Sequence, residues 1–167
     1  MRQRVFIVHG HDKEPVKALE ELITTWGLEA IVLSRLPDSG LTIIEKFERY
    51  ARTCDFAIIL LTPDDKNADE LDASQKFRAR QNVIFEMGWF FSFLRRDGTL
   101  LLYKDNIELP SDVTGILYKK FAHSPVEKAS EIRRALQLGG VRVPEPEAAQ
   151  NVRTRKAIIV KQTKRKK

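Results

Sequence analysis

The stretch RARQNVIFEMGWFFSFL, Arg78 to Leu94, carries one carboxylate inside a run that is otherwise apolar from Val83 onward. Glu86 sits between Phe85 and Met87, with Trp89, Phe90 and Phe93 one and two helical turns further on. A carboxylate in such surroundings loses hydration at a large cost, or its pKa moves upward, unless it has a partner. Two readings are open. The carboxylate answers the dipole at a helix start, or it faces a cleft and acts on a ligand. If Asn82 caps the helix, Glu86 falls one position past the slot that a capping box uses. A start near Ser74 or Gln75 places it mid-helix. Both registers favour the second reading, with Asn82 one turn before Glu86 on the same face.

Other residue types invite weaker readings. His9 and His11 flank Gly10 in VFIVHGHD. Two histidines without a third His, Cys or clustered carboxylates make a poor zinc signal. The plainer view is that Gly10 lets a ligand approach the backbone while neighbouring polar side chains bind it. Arg78 and Arg80 have the chemistry to clamp phosphates bidentately, although solvated surface arginines look the same in sequence. No P-loop, G-x-G-x-x-G or G-x-S-x-G occurs. Ser34 and Ser39 lie in SRLPDSG, whose Pro37 and Gly40 mark a turn, and no neighbouring base activates either hydroxyl. That loop reads as conformational or interfacial. His123 reads as a surface residue near a helix start.

The elements that must position these residues follow from hydrophobic patterning. RVFIVHG, EAIVLS, DFAIILLT and TLLLYK are apolar on consecutive residues, as in parallel strands covered on both faces. LYKKFA is a weaker fifth strand whose alternation suits an exposed edge. Val16, Leu19, Leu22, Ile23 and Trp26 recur at helical spacing, with Asp12 as cap and Gly27 as stop. TIIE (Thr42 to Glu45) is a capping box opening a helix through about Thr53, and SPVE (Ser124 to Glu127) is another, closed by Gly139 and Gly140. The Glu86 helix falls between strands three and four. The link DNIELPSDVTGI is too short and polar for a confident helix.

Right-handed crossovers then favour a doubly wound α/β fold with a five-stranded parallel sheet in the flavodoxin-like order 2-1-3-4-5. Its topological switch lies between strands one and three, and ligands bind outside their carboxyl ends. Two loops are selected: HGHDKEP after strand one, and the long TPDDKNADELDASQKFRARQN after strand three, which leads to Glu86.

Composition bounds the rest. With 167 residues, 43% hydrophobic and 31% charged, the chain suits one soluble domain. Cys54 is the single cysteine, so no intrachain disulfide forms and a reducing, cytoplasmic location is expected. The apolar run after Met1 is far too short for a signal-peptide core or a membrane span, and no membrane partner is expected. The net charge of +6 is unevenly spread. Ala148 to Lys167 hold eight basic residues and no acidic ones; removing these eight from 29 leaves 21 basic against 23 acidic. The folded part is no nucleic-acid surface by charge, and nucleic acid enters only through the tail. A basic tail of this kind is more often disordered.

The set VFIVHGHD, LPDSGLTIIEKFE, DFAIILLTPDD and RARQNVIFEMGWF, in this order and spacing, resembles bacterial TIR-like domains of the predicted nucleotide-binding type. These are relatives of the TIR domains in cyclic-nucleotide-triggered antiphage effectors. The resemblance spans about residues 4 to 138, and gives the expected organisation: a TIR-like domain over 1–140 and a basic tail over 141–167 that is flexible or a linker. It implies a TIR-type NAD+ glycohydrolase, with Glu86 of NVIFE as the catalytic residue, NAD+ as substrate, and neither a resident cofactor nor a metal. His9, Gly10, His11 and Asp12 would line the pocket near the sugar or pyrophosphate. Asp64, Arg78, Arg80 and Asn82 complete the expected substrate-binding set. The resemblance also implies activation by self-association, through the loop after strand two, and a sensor domain or partner chain. Three competing readings remain: a nucleoside or nucleotide N-glycosidase, a non-catalytic nucleotide-binding or scaffold module, and nucleic-acid binding through the tail.

Overall fold

A computed structural model describes residues 3–63, 77–104, 107–108 and 118–144. Its main sheet is built from β1 (Arg4–His9), β2 (Glu29–Ile31), β3 (Phe56–Leu61), β5 (Thr99–Lys104) and β7 (Tyr118–Phe121). They lie in the order β2-β1-β3-β5-β7, and every pairing is parallel. Counting main-sheet strands alone, this is the expected 2-1-3-4-5 order. Register places Val5 opposite Phe56 and His9 opposite Leu60, and Ala57 opposite Thr99.

Strand alternation sorts the apolar side chains onto two faces. Val5, Ile7, Phe56, Ile58, Leu60, Leu100 and Leu102 share one core with α1 (Lys13–Thr25) and α4 (Ala129–Leu138). Phe6, Val8, Ala57, Ile59, Leu61 and Leu101 share the other with α2 (Ile43–Ala51) and α3 (Gln81–Phe93). All six residues of β3 are buried, which is why its sequence shows no polar alternation. The second core is aromatic. Phe6 meets the Phe47 and Phe90 rings at 5.7 and 5.0 Å, and Trp89 lies edge-on to Phe47 at 5.1 Å. Such pairs add to the burial of each ring, which by itself stabilises by about 2 kcal/mol.

Helix ends follow their local chemistry. The Asp12 side chain caps α1, Thr42 and Glu45 form the capping box of α2, and Ser124 and Glu127 form that of a short 3-10 turn, Pro125–Lys128, leading into α4. Gly139 ends α4 where a Cβ would meet the Phe56 ring and the Asp97 carbonyl at 2.6 Å, too close for any side chain.

Three features depart from expectation. β2 stops after Ile31, because residues Leu33–Arg35 form a 3-10 turn instead of continuing the strand. A second, two-stranded parallel ladder joins β4 (Phe77–Arg78) to β6 (Ile107–Glu108), so part of the polar link after β5 pairs with the segment preceding α3. The chain also stays packed beyond Gly140. Val141 and Val143 are buried, the Arg142 amide donates to Gln3 Oε1 at 2.6 Å, and Arg133 Nη1 donates to the Pro144 carbonyl. Most of the link from β5 to β7 and residues 145–167 lie outside the described residues. Among the described residues, no helix is long and apolar enough to cross a membrane.

Candidate active site at the carboxyl end of the sheet

A cleft of about 460 Å³ opens beyond the carboxyl ends of β1 and β2. One wall is the end of β1 and the start of α1: His9, Gly10, His11, Lys13 and Val16. The opposite wall is the turn after β2, contributing Val32, Ser34 and Arg35, and Arg80 enters from the start of α3. Of the expected set, His9, Gly10, His11 and Arg80 therefore share one cleft.

His9 Nδ1 lies 2.7 Å from the Gly10 carbonyl oxygen. That oxygen only accepts, so Nδ1 carries a proton and Nε2 is the ring nitrogen left for a ligand. Asp12 has other duties. It accepts from the Glu14 amide at 3.3 Å as the α1 cap, and its Oδ2 stands 3.6 Å from Lys104 Nζ. Asp12 does not line the cleft, nor do Asn82 and Glu86.

Arg80, not Asn82, is the N-cap of α3, and it caps through its backbone alone. Its carbonyl accepts from the Val83 amide at 2.9 Å, and no side-chain cap bond is made. Asn82 is thus the exposed second residue of the helix and Glu86 its sixth. This register puts Glu86 past the first turn, where a helix dipole acts only weakly on a side chain. Glu86 is half-buried, and burial raises its pKa from 4.5 to about 7, while the Arg80 charge pulls in the opposite direction. Arg80 therefore faces two ways, lining the cleft and acting on the carboxylate. Trp89 and Phe93 are less concerned with Glu86 than expected: Trp89 packs on Phe47 and Phe93, and the Arg52 guanidinium lies over the Trp89 and Phe93 rings at 5.7 and 5.8 Å. Phe85 is exposed.

Arg78 is the last residue of β4, its backbone paired with Glu108. Its side chain, and Asp64 altogether, lie outside what the structure describes. Sequence reasoning missed Lys13, Val16, Val32, Ser34 and Arg35. Topology did not signal the last three, because the expected crevice was the switch point between β1 and β3, whereas the cleft lies toward β2.

A five-stranded parallel sheet in this order, with helices on both faces and a cleft over its carboxyl ends, makes this an α/β domain of flavodoxin-like topology. The family model described as "CAP12/Pycsar effector protein, TIR domain" matches residues 4–123, and the chain belongs to that family. Among curated relatives it is 47% identical over 116 residues to the uncharacterized protein YuaY of Escherichia coli strain K12, covering 70% of this chain and 39% of that protein. It is 31% identical over 141 residues to protein tirC of Dictyostelium discoideum (78% of this chain, 70% of tirC). To CD-NTase-associated protein 12 of Sphingobacterium faecium it is 30% identical over 129 residues, covering 74% of this chain and 38% of the relative. The chain thus spans well under half the length of two of these three relatives.

Proposed function

We propose that this domain is an NAD+ glycohydrolase in which Glu86 stabilises the ribosyl cation formed as nicotinamide leaves. The observation that carries this reading is the placement of Glu86 in the second turn of α3, half-buried, with Arg80 shared between it and the cleft. The C1′–N bond breaks with its electron pair passing to the pyridinium nitrogen, so nicotinamide departs neutral and needs no general acid. Positive charge grows on C1′ and the ring oxygen, and a fixed carboxylate in a poorly solvated setting stabilises it. Water then adds to C1′ and loses its proton, giving ADP-ribose. The His9, Gly10 and His11 loop offers a close backbone approach and imidazole donors or acceptors to the sugar, and Arg80 offers a charge to the phosphates.

Membership of an effector family supports placing this chemistry in cytoplasmic antiphage defence, with a nucleotide signal acting through a sensor region or partner chain and with self-association required for activity. The test is NAD+ turnover followed by product chromatography, for the protein and for Glu86→Gln, with and without crowding or cyclic nucleotides. Losing one preorganised electrostatic group costs about 10²–10³-fold in rate, and the variant should fall at least that far while remaining folded. Turnover within about threefold of the original protein removes Glu86 from the mechanism. Cleavage of nucleosides but not NAD+ would favour the N-glycosidase reading.

A further inference from the structure

The wall formed by the turn after β2 carries an arginine that is held in place by a carboxylate on the opposite wall. Arg35 ends the 3-10 turn, whose start is fixed on both faces of the sheet: Val32 is buried in the α1 and α4 core, and Leu33 packs against the α2 and α3 core. Its Nη2 lies 2.5 Å from Glu20 Oε2. Glu20 is on α1, one turn beyond the cleft-lining Val16 and on the same helix face. The Glu20 side chain is only 17% exposed, whereas that of Arg35 is 58% exposed. Burial raises the Glu20 pKa, and the charges of Arg35 and His9 oppose that rise.

A salt bridge with one partner largely in solvent contributes little to stability, so this pair is better explained by what it positions. A guanidinium presents five N–H donors in a flat fork, and a contact made through one nitrogen leaves donors for a second anion. Lys13, Arg35 and Arg80 stand around the cleft, and among the described residues none that lines it is acidic. A pocket lined by one sign of charge concentrates the opposite one.

We propose that Arg35, positioned by Glu20, binds the phosphates of a pyrophosphate-bridged nucleotide and so sets the substrate class of the cleft: dinucleotides over unphosphorylated nucleosides. This rests on the reading of the cleft as the substrate site, but its test does not depend on catalysis. Binding of ADP-ribose and of adenosine is measured by calorimetry for the full chain and for Arg35→Gln, Arg35→Lys and Glu20→Gln. Removing a charged hydrogen-bonding partner should weaken ADP-ribose binding by about 10- to 100-fold in Arg35→Gln and leave adenosine binding unchanged. Arg35→Lys should recover only part of the loss, since an ammonium is a point charge without the fork. Glu20→Gln should weaken ADP-ribose binding less than Arg35→Gln, with unchanged or higher Tm. In turnover, Arg35→Gln should raise KM for NAD+ with little change in kcat.

Equal ADP-ribose affinity in Arg35→Gln and the original protein overturns the proposal, as does equal weakening of adenosine. Failure of the original protein to bind ADP-ribose at millimolar concentration overturns it too. Binding that behaves as stated in a protein that never cleaves NAD+ would sink the hydrolase reading and leave this one standing.

Discussion

A carboxylate with a raised pKa makes the protein less stable in its ionised form, and Glu86 should report this directly. Its folded-state pKa of about 7 lies above the 4.5 of an ordinary glutamate, so the folded state holds its proton more tightly than the unfolded chain. Above pH 7 both states are ionised and the destabilisation is present in full. It fades as pH falls from 7 to 4.5, where both states become protonated. Glu86→Gln should therefore have the higher Tm at pH 8, with the gap closing by pH 5; a gap independent of pH would show that the carboxylate is not the cause. The same ionisation should shape the rate, giving the acidic limb of the kcat profile an apparent pKa near 7. Glu86 stands out in the sequence because charge is rare in an apolar helix. Arg35 does not. An arginine in a polar loop looks like any other surface arginine until a carboxylate one helix away is seen to hold it.

Among the elements, the start of α3 was the hardest to read. Asn82 is a good capping residue by type, yet Arg80 takes the cap position because the β4–β6 ladder delivers the chain to the helix two residues earlier. The pairing partner, Ile107–Glu108, is remote in sequence and sits in a polar link, so no local pattern announces it. The loop after β2 shows the opposite case. Its turn residues are plain in SRLPDSG, and Ser39 and Gly40 take φ values of 51° and 72°. Lys46, itself buried, ties the loop down through Nζ to Asp38 Oδ1 at 2.8 Å. What the sequence hides is that the same loop begins in the cleft. Proline at Gly40 requires φ near −65°, so Gly40→Pro must refold the turn locally while α2 keeps its capping box. We expect activity and self-association to fall together with Tm nearly unchanged, read by turnover per subunit across a dilution series. Turnover per subunit that is constant across that series would count against a role for assembly.

At the scale of the whole molecule, strand order was legible because four strands are apolar on consecutive residues and the first three each precede a helical pattern. The end of the domain was less so. VRVP alternates too briefly to read as structure, and Gly139 and Gly140 look like a natural stop. Val141 and Val143 nevertheless fill the core under α1 and α4. A chain ending after Pro144 should melt like the original. One ending after Gly140 forfeits two buried valines, each contributing about 1.5–3 kcal/mol, and its Tm should fall on the order of 10 °C. Identical melting of the two truncations would mean that this segment adds nothing to the fold. The chain ending after Pro144 is also the right one for testing nucleic-acid binding by the tail, since it removes that basic stretch and keeps Val141 and Val143.

The bond from the Arg142 amide to Gln3 Oε1 has a geometric consequence. It holds the two ends of the domain side by side at the amino end of β1, the root of the sheet, while the cleft opens at the other end. A six-residue strand separates the two by about 20 Å. The described chain near Gln3 and near Arg142 therefore lies at the root of the sheet, away from the mouth of the cleft.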